Sequence, residues 1–191
     1  MNARLALLAL TATLSLAASA QAQRLIPAAD RRPAPAFDLA QVAGPSTHQA
    51  AASRGRLTSA GLAGKVLVLD LWAVGCVPCG PAHEALVAAA PLLADSGVVI
   101  LSVGSPDDSV AATEWVHEHG GPVFPVVLLN QPLSEALEVT GWPRMVIIDA
   151  KGRVAYDGFG HSPGEFLPRV LPALIAEREG RAAPRDANRL F

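Results

Sequence analysis

The clearest pattern in the chain is a nearly continuous apolar run, "KVLVLDLWA" at residues 65–73, bounded by Gly64 and Gly75. A run of this length with β-branched members is typical of a strand that is buried on both faces. Residues 98–105, "VVILSVGS", and residues 124–130, "FPVVLLN", have the same character. The pattern therefore predicts three buried strands in the middle of the chain.

Segments with helical signals alternate with these strands. The first opens with Pro81 near a first-turn position and stops at Gly97, as a helix does, and Pro91 is expected to kink it. The predicted helices are "GPAHEALVAAAPLLADSG" (80–97), "PDDSVAATEWVHEHGG" (106–121), "PLSEALEVTG" (132–141) and "SPGEFLPRVLPALIAEREG" (162–180).

The remaining elements complete a mixed sheet. "MVIIDAKGRVAYDG", residues 145–158, predicts two strands joined by a turn at 150–152. Nearer the N-terminus, "FDLAQVAG" (37–44) and "RLTSAGLAG" (56–64) predict two short elements. This order predicts an α/β fold in which helices cover both faces of a central mixed β-sheet.

The first residues have the layout of a secretory signal peptide. Arg4 precedes an apolar run over residues 5–18, and two A-x-A sites follow, so cleavage is expected after Ala20 or Ala22. An uncleaved membrane anchor is the alternative. The sequence predicts a signal peptide over residues 1–22 and, in a Gram-negative source, a periplasmic protein that is soluble after cleavage or membrane-anchored without it.

The rest of the chain divides into one domain and two flanking parts. Residues 23–36 are rich in proline and charge and predict an extended linker, residues 37–178 have the length of one domain, and residues 179–191 predict a disordered tail. The chain is 51% hydrophobic with a formal net charge of -2. This composition supports a real core without disulfides and gives no electrostatic attraction to nucleic acid or anionic lipid.

The two cysteines, Cys76 and Cys79, stand where the first buried strand gives way to a helix. Reactive groups of α/β sheets lie beyond the carboxyl ends of central strands. The N–H groups and dipole of a helix N-terminus favour a thiolate, so Cys76 would be a usable nucleophile at neutral pH. Cys79 would lie one turn further on the same face, close enough to form a disulfide.

Other uses of two thiols compete with redox chemistry. A structural disulfide that closes so small a loop constrains the unfolded chain very little. A closed zinc site needs four ligands, whereas the chain adds only scattered histidines: His48, His83, His117, His119 and His161. Cu(I) is held by two thiolates with few further ligands, so a copper site stays open.

Two motifs carry a family resemblance. "VLVLDLWAVGCVPC" (66–79) resembles the active-site strand, loop and helix start of the thioredoxin superfamily, and "TGWPRMVIIDAKGRVAYDGFG" (140–160) resembles its cis-proline segment and hairpin. With the signal peptide, the N-terminal elements and an extra helix before the third strand, residues 37–175 are similar to TlpA/ResA-like extracytoplasmic disulfide reductases. The resemblance implies a thioredoxin-like fold with an N-terminal extension and an inserted helix.

The resemblance also implies roles for four residues. Cys76 would be the attacking thiol and Cys79 the resolving one, while Asp70 matches the buried carboxylate that thioredoxins use in proton transfer with the resolving cysteine. A carboxylate at the end of a buried strand must be neutral, hydrogen-bonded or paired; a solvated strand cap is the alternative. Pro143 matches the cis-proline opposite the sulfurs, and an ordinary trans proline is its alternative.

Four more residues are candidates for substrate contact. Trp72 and Trp142 belong to the two motifs, and Gly75 replaces the large residue that is common just before the first cysteine. Arg144 stands where thioredoxins usually have threonine. It would favour the thiolate if it reached the sulfur, and it would shape substrate choice if it pointed to solvent.

The acidic residue that several ResA-like proteins carry three positions after the second cysteine is absent, because Ala82 stands there. Glu84, two places further on, is expected to be solvated. The dipeptide Val77-Pro78 contains no histidine that would stabilise the thiolate, and Asp70 would add like-charge repulsion. Both favour a reductant, whereas Arg144 would favour an oxidant.

The sequence therefore predicts a periplasmic thiol-disulfide oxidoreductase that reduces cysteines of exported proteins, of the apocytochrome c or copper-site maturation type. Its electrons would come from a membrane thiol reductase, as the resemblance implies. We expect a monomer without a cofactor beyond the cysteine pair, with Cu(I) as an option. The alternatives are a Cu(I) carrier and a peroxiredoxin-like peroxidase, although the latter wants threonine where this chain has Ala73.

Overall fold

The computed structural model describes residues 24–45, 52–53, 55–93, 96–105, 109–159 and 162–182. The strands are β1 Asp38–Ala43, β2 Ala52–Ser53, β3 Arg56–Thr58, β4 Val66–Trp72, β5 Val98–Gly104, β6 Val126–Leu128, β7 Arg144–Ile148 and β8 Val154–Phe159. The helices are α1 Cys79–Leu93, α2 Ser109–Glu118, α3 Gln131–Ala136 and α4 Pro163–Arg178. The described strands form one sheet in the order β2-β3-β1-β6-β5-β4-β7-β8.

Strand β4 lies in the interior of the sheet, between β5 and β7. It pairs parallel with β5 and antiparallel with β7, and all seven of its residues are buried. β6 continues the parallel part beside β5, and β8 pairs antiparallel with β7. The mixed sheet and the buried central strand confirm the sequence-based expectation, since an apolar run with no polar face needs cover on both sides.

The alternation of side chains along β4 divides the core in two. Leu67, Leu69 and Leu71 belong to a core cluster that also holds Leu133 and Leu137, on and just after α3. The alternate residues Val66 and Val68 belong to a second cluster with side chains of α1 and α4, among them Leu86, Phe166 and Leu167. Helices therefore cover both faces, as predicted. Residues 70 and 72 continue the second face, toward the start of α1.

The segment predicted to be a linker is in fact packed against the domain. The N–H of Ile26 donates to the carbonyl of Ala155, and the N–H of Ala34 donates to that of Gly152, each at 2.8 Å. Arg31, which is 7% exposed, lies between two acidic side chains. The proline and charge content of this segment is typical of a linker, and the residues that bind it to the domain are far away along the chain. Its docking was therefore not predicted.

That buried arginine joins three parts of the chain. Its Nη1 lies 3.0 Å from Oδ2 of Asp149, in the turn after β7, and 2.6 Å from Oε2 of Glu177 in α4. Asp149 also accepts from the backbone and side chain of Arg153. Burial by itself would raise the pKa of Asp149, but these hydrogen bonds and the adjacent guanidinium groups hold it below its ordinary value.

Several predicted parts lie outside the described residues. These are the signal peptide over 1–22, His48, His161 and most of the tail, from residue 183 onward. Within the described ranges, none of the helices has the length and apolar character needed to cross a membrane.

Candidate active site

The two cysteines lie at the carboxyl end of β4, where the chain turns into α1. They form a disulfide with an S–S distance of 2.04 Å and a Cα–Cα distance of 5.4 Å. Cys79 is the first residue of α1 and is 1% exposed, whereas Cys76 lies in the preceding loop and is half-buried. An incoming sulfur therefore reaches Cys76 first, which is the order of events expected for an attacking and a resolving cysteine.

The loop before the helix holds Cys76 at the N-terminus of α1. The N–H of Cys76 donates to the carbonyl of Ala73, and the N–H of Cys79 donates to that of Cys76. Gly80 supplies the one other N–H group of residues 78–81, because Pro78 and Pro81 have none, and this group and the helix dipole favour a thiolate here. Val77, at 87% exposure, protrudes between the two cysteines.

Gly75 has a backbone reason to be glycine. Its φ angle is +82°, in the left-handed region that side chains disfavour, and a Cβ atom there would meet no heavy atom within 4 Å. The space beside the first cysteine is therefore open. Backbone conformation, and not a close contact, selects glycine at this position.

The proline segment lies at the same end of the sheet as the cysteines. The Trp142-Pro143 peptide bond is cis, which confirms the expectation from the sequence. Pro143 is buried, and the half-buried Trp142 packs with Cys76 on a third core cluster that contains Cys79 and Trp72. Strand β7 begins at the next residue and pairs with β4, which brings the two distant motifs together.

Asp70 is buried and paired, not solvated. It is 2% exposed, and its Oδ2 lies 2.9 Å from Nδ1 of His83. His83 is 1% exposed and belongs to α1. The sequence indicated His83 only as a possible zinc ligand, so this pair was not predicted. The available signal was its spacing, since a residue four positions after Cys79 lies on the same buried face of a helix.

Trp72 supports the site from beneath. It is 0% exposed, its Nε1 donates to Oγ of Ser102 at 2.8 Å, and its ring stacks on Trp115 with centroids 4.0 Å apart. The side chain cannot contact a substrate in this arrangement. We therefore revise its role from substrate contact to support of the disulfide, because the last position of β4 points into the core.

Arg144 neither reaches the sulfurs nor points to solvent. Its Nε and Nη2 donate to the two carboxylate oxygens of Asp157 at 2.7 and 2.8 Å, and its Nη1 donates to the carbonyl of Glu138. The guanidinium also lies 5.1 Å from the ring centroid of Phe159. Because Arg144 pairs with Phe159 across the hairpin, Asp157 is its diagonal neighbour on the same face. Both predicted roles of Arg144 need correction.

The segment after α2 contributes a second imidazole. His119 stacks on Trp115 with centroids 4.3 Å apart, and its Nδ1 donates to the Trp115 carbonyl. It also lies against Gly80, in the first turn of α1. Ala82 is buried in that helix and Glu84 is exposed, as expected for a solvated residue.

A metal site with three or more ligands finds no support in the part of the chain that the structure describes. No three side chains of histidine, cysteine, aspartate or glutamate come together there in a way that could hold an ion. His117 is exposed and His119 bonds to a carbonyl, so the two do not converge.

Comparisons with known proteins agree with this geometry. The profile of the family described as Redoxin matches residues 29–170. The thiol:disulfide interchange protein DsbE of Pseudomonas aeruginosa is 32% identical over 155 residues, which cover 78% of this chain and 79% of that protein. The protein of the same name from Pseudomonas fluorescens biotype C is 35% identical over 63% of this chain and 61% of its own length.

Solved structures share the fold. A thioredoxin family thiol:disulfide interchange protein from Chlorobium tepidum superposes with a TM-score of 0.64 at 22% identity, over 76% of this chain and 97% of that chain. A secreted thiol-disulfide isomerase from Corynebacterium glutamicum gives a TM-score of 0.61 at 17% identity, over 79% and 90%. These likenesses establish a thioredoxin-like fold.

Proposed function

The chain belongs to the Redoxin family of the thioredoxin superfamily and is a thiol-disulfide oxidoreductase, and we propose that it reduces disulfides of exported proteins. The observation that carries the proposal is the unequal exposure of the two sulfur-bearing residues, half-buried Cys76 and fully buried Cys79. Only the first can be approached by a substrate sulfur.

The reaction follows from this asymmetry. In the reduced protein, the Cys76 thiolate attacks one sulfur of the substrate disulfide, and the other substrate sulfur leaves as a thiolate. Cys79 then attacks the Cys76 sulfur, so that the internal disulfide closes and the second substrate sulfur is released. Two electrons pass from the cysteine pair to the substrate, and the pair ends in the oxidised form seen here.

The charges around the pair favour the reducing direction. A reductant has a thiolate that is stabilised only weakly. Val77 and Pro78 between the cysteines offer no charge, and the guanidinium of Arg144 is committed to Asp157 and Glu138. Arg144, the cation that we expected to favour an oxidant, is thus bonded elsewhere, which supports a potential nearer about -270 mV than about -120 mV.

The surface around Cys76 suits an extended polypeptide. Val74 and Val77 are exposed, and the half-buried Trp142 packs against the same core cluster as Cys76. We propose that Trp142 and the open space at Gly75 contact the residues that flank a substrate cysteine. The backbone next to Pro143 would pair with them as a short additional strand.

The setting of the reaction is part of the proposal. The relatives named thiol:disulfide interchange protein DsbE, together with the signal-like residues 1–22, support a periplasmic protein. Its substrates would be cysteines of apocytochrome c or copper-site proteins, and a membrane thiol reductase would supply the electrons. We propose that it acts as a monomer.

A redox titration tests the direction. The Cys76-Cys79 couple is equilibrated in dithiothreitol or glutathione buffers, and its oxidised fraction is read by alkylation and mass. We expect a potential near that of thioredoxin, about -270 mV; a value near about -120 mV would overturn the reductase. Tight binding of one Cu(I) with negligible reduction of insulin would favour the copper carrier instead.

A trapping experiment tests the substrate class. Cys79→Ser leaves the attacking thiol without its resolving partner, so mixed disulfides with exported proteins should accumulate in periplasmic extract. Cys76→Ser is the matched control and should trap nothing. Equal trapping by both variants, or none by either, would contradict the proposed roles.

A further inference from the structure

The buried pair of Asp70 and His83 contains an atom that the exchange steps above do not use. When the carboxyl group is ionised, Nδ1 of His83 carries the hydrogen that is donated to Oδ2 of Asp70 over 2.9 Å. The other ring nitrogen, Nε2, is buried and has no hydrogen-bond partner among the described residues. A buried lone pair without a donor is uncommon and calls for an explanation.

This pair belongs to the surroundings of the resolving cysteine. Cys79 and His83 are one helical turn apart on α1, and both are 1% exposed, so they share its buried face. Trp72 connects them, since it packs in one cluster with Cys79 and its ring lies edge-on to His83 with centroids 6.5 Å apart. Cys79 and the pair therefore lie in one enclosed compartment.

The compartment is apolar, which limits how much charge it can hold. The rings of Trp115 and Phe124 lie edge-on to His83, at centroid distances of 5.4 and 6.5 Å. An unshared buried charge is costly in such surroundings. If a proton moves from the Cys79 thiol to the Asp70-His83 pair, the compartment still contains a single negative charge, now on sulfur.

We infer that His83 and Asp70 form one proton-holding unit for Cys79, with His83 as the residue that positions the carboxylate and completes the unit. The inference rests on the proposed function. When Cys79 attacks Cys76 in the mixed disulfide, its S–H proton passes to the unit, the internal S–S bond forms, and the substrate sulfur leaves with the electrons of the broken bond. When a donor dithiol later reduces the disulfide, Cys79 leaves as a thiolate and recovers that proton.

Few other titratable groups face this unit. Strand β4 contributes Asp70 itself and helix α1 contributes Cys79. The segment after α2 contributes His119, whose ring stacks on Trp115, the indole that also contacts His83. Because Nδ1 of His119 is bonded to a backbone carbonyl and not to a carboxylate, we assign the proton to the Asp70-His83 pair.

The test isolates the resolution step. Reduced protein is mixed with increasing oxidised glutathione in a stopped-flow instrument, and tryptophan fluorescence follows oxidation from pH 5.5 to 9. The plateau rate reports closure of the internal disulfide, and the initial slope reports attack by Cys76. The variants are His83→Asn, Asp70→Asn and the double variant, with His117→Asn as an exposed matched control.

We expect each single substitution to lower the plateau rate at pH 7 by roughly 100-fold, the lower end for loss of a positioned acid-base group. The double variant should lose no more than either single one, because the two residues act as a unit. In the variants the rate should rise tenfold per pH unit up to and beyond about pH 8.5, because a thiol buried in apolar surroundings ionises above the ordinary value. The initial slope, which reports attack by Cys76, should stay unchanged in these variants. The control His117→Asn should keep the rates of the wild type.

Each contrary result has a distinct meaning. If His83→Asn keeps the plateau rate of the wild type, or if the two losses of rate add in the double variant, then Asp70 and His83 do not act as one proton-holding unit. A wild-type protein that does not react with glutathione disulfide would overturn the proposed function and the inference with it. If His83→Asn does not fold, the pH profile of the wild type and the plateau rate of Asp70→Asn decide. A wild-type plateau rate that rises with pH as an ordinary thiol ionises would overturn the inference.

Discussion

The imidazole of His119 lies directly against Gly80, so that a Cβ atom at residue 80 would be 2.5 Å from Nε2 of the imidazole. The ring cannot move freely, because it stacks on Trp115 and its Nδ1 bonds to the Trp115 carbonyl. The segment after α2 is thus fitted closely to the first turn of the helix that carries Cys79.

This contact predicts that Gly80→Ala is destabilising although alanine favours helices. Overpacking costs about 1–3 kcal/mol, and alanine returns about 1 kcal/mol of helix propensity. We expect a net loss of about 1 kcal/mol in urea unfolding, and His119→Ala should relieve it in the double variant. Gly164→Ala in α4, where the nearest atom is 3.7 Å away, is the control and should not destabilise. Additive losses in the double variant would contradict the contact.

The backbone at Gly75 predicts a different order of variants. Because φ is +82° and the surrounding space is open, Gly75→Ala should cost about 1–2 kcal/mol from backbone strain alone. Asparagine tolerates this region better, so Gly75→Asn should cost less than Gly75→Ala. Thermal unfolding of the oxidised proteins measures the order. If alanine proved harmless and asparagine damaging, a cause other than φ would have to act.

The ion pair of Arg144 and Asp157 predicts a loss of stability without a change of potential. Arg144→Met leaves the partly buried carboxylate with only the longer contact to the half-exposed Arg32. This should cost about 2–3 kcal/mol, below the range for a fully buried pair because the Asp157 side chain is 19% exposed. The reduction potential should move by less than about 30 mV.

Arg32 offers a matched control for this experiment. It also contacts Asp157, at 3.4 Å, but its side chain is half exposed. Arg32→Met should therefore cost under about 1 kcal/mol, the range for exposed pairs. A large shift of the reduction potential in Arg144→Met would show that this arginine does influence the thiolate directly.

The lowered pKa of Asp149 predicts how the unfolding free energy falls at acid pH. The folded state holds this pKa below the ordinary value of 3.8, so the carboxylate contributes stability above that pH and loses it as pH falls through the folded value. The difference in unfolding free energy between wild type and Asp149→Asn should be greatest above about pH 5 and shrink toward pH 2. Urea unfolding at constant ionic strength measures it.

The exposed ion pair of Asp38 and Arg56 serves as the control for that series. Asp38→Asn should change stability by less than about 1 kcal/mol at any pH. A difference between wild type and Asp149→Asn that stays constant down to pH 2 would argue that Asp149 acts through packing and not through its charge.

The sequence predicted what local patterns determine. The apolar run at residues 65–73 has no polar face, so its burial in β4 followed directly, and the thiols at a strand end and helix start defined the reactive edge. The partner of Asp70 did not follow. Strand and helix periodicity place Asp70 and His83 on buried faces, but which side chains meet depends on how α1 docks on the sheet.

Two further contacts needed tertiary information. The pairing of Arg144 with Asp157 depends on a hairpin register that shifts between Ile147 and Ile148, and composition does not show such an irregularity. Arg31 meets Asp149 at a separation of 118 residues. A charged, proline-rich stretch is therefore indistinguishable from a linker until its distant acidic partners are known.

The docked N-terminal segment and the cysteine pair lie at different ends of the sheet. Ile26 bonds to Ala155 near the beginning of β8, at the end of the sheet opposite Arg144 and the cis-proline. The first described residues thus dock at the other end of the sheet from the cysteine pair, where Arg31 holds them. Disulfide exchange at Cys76 and the entry of the described chain therefore occupy opposite ends of one sheet.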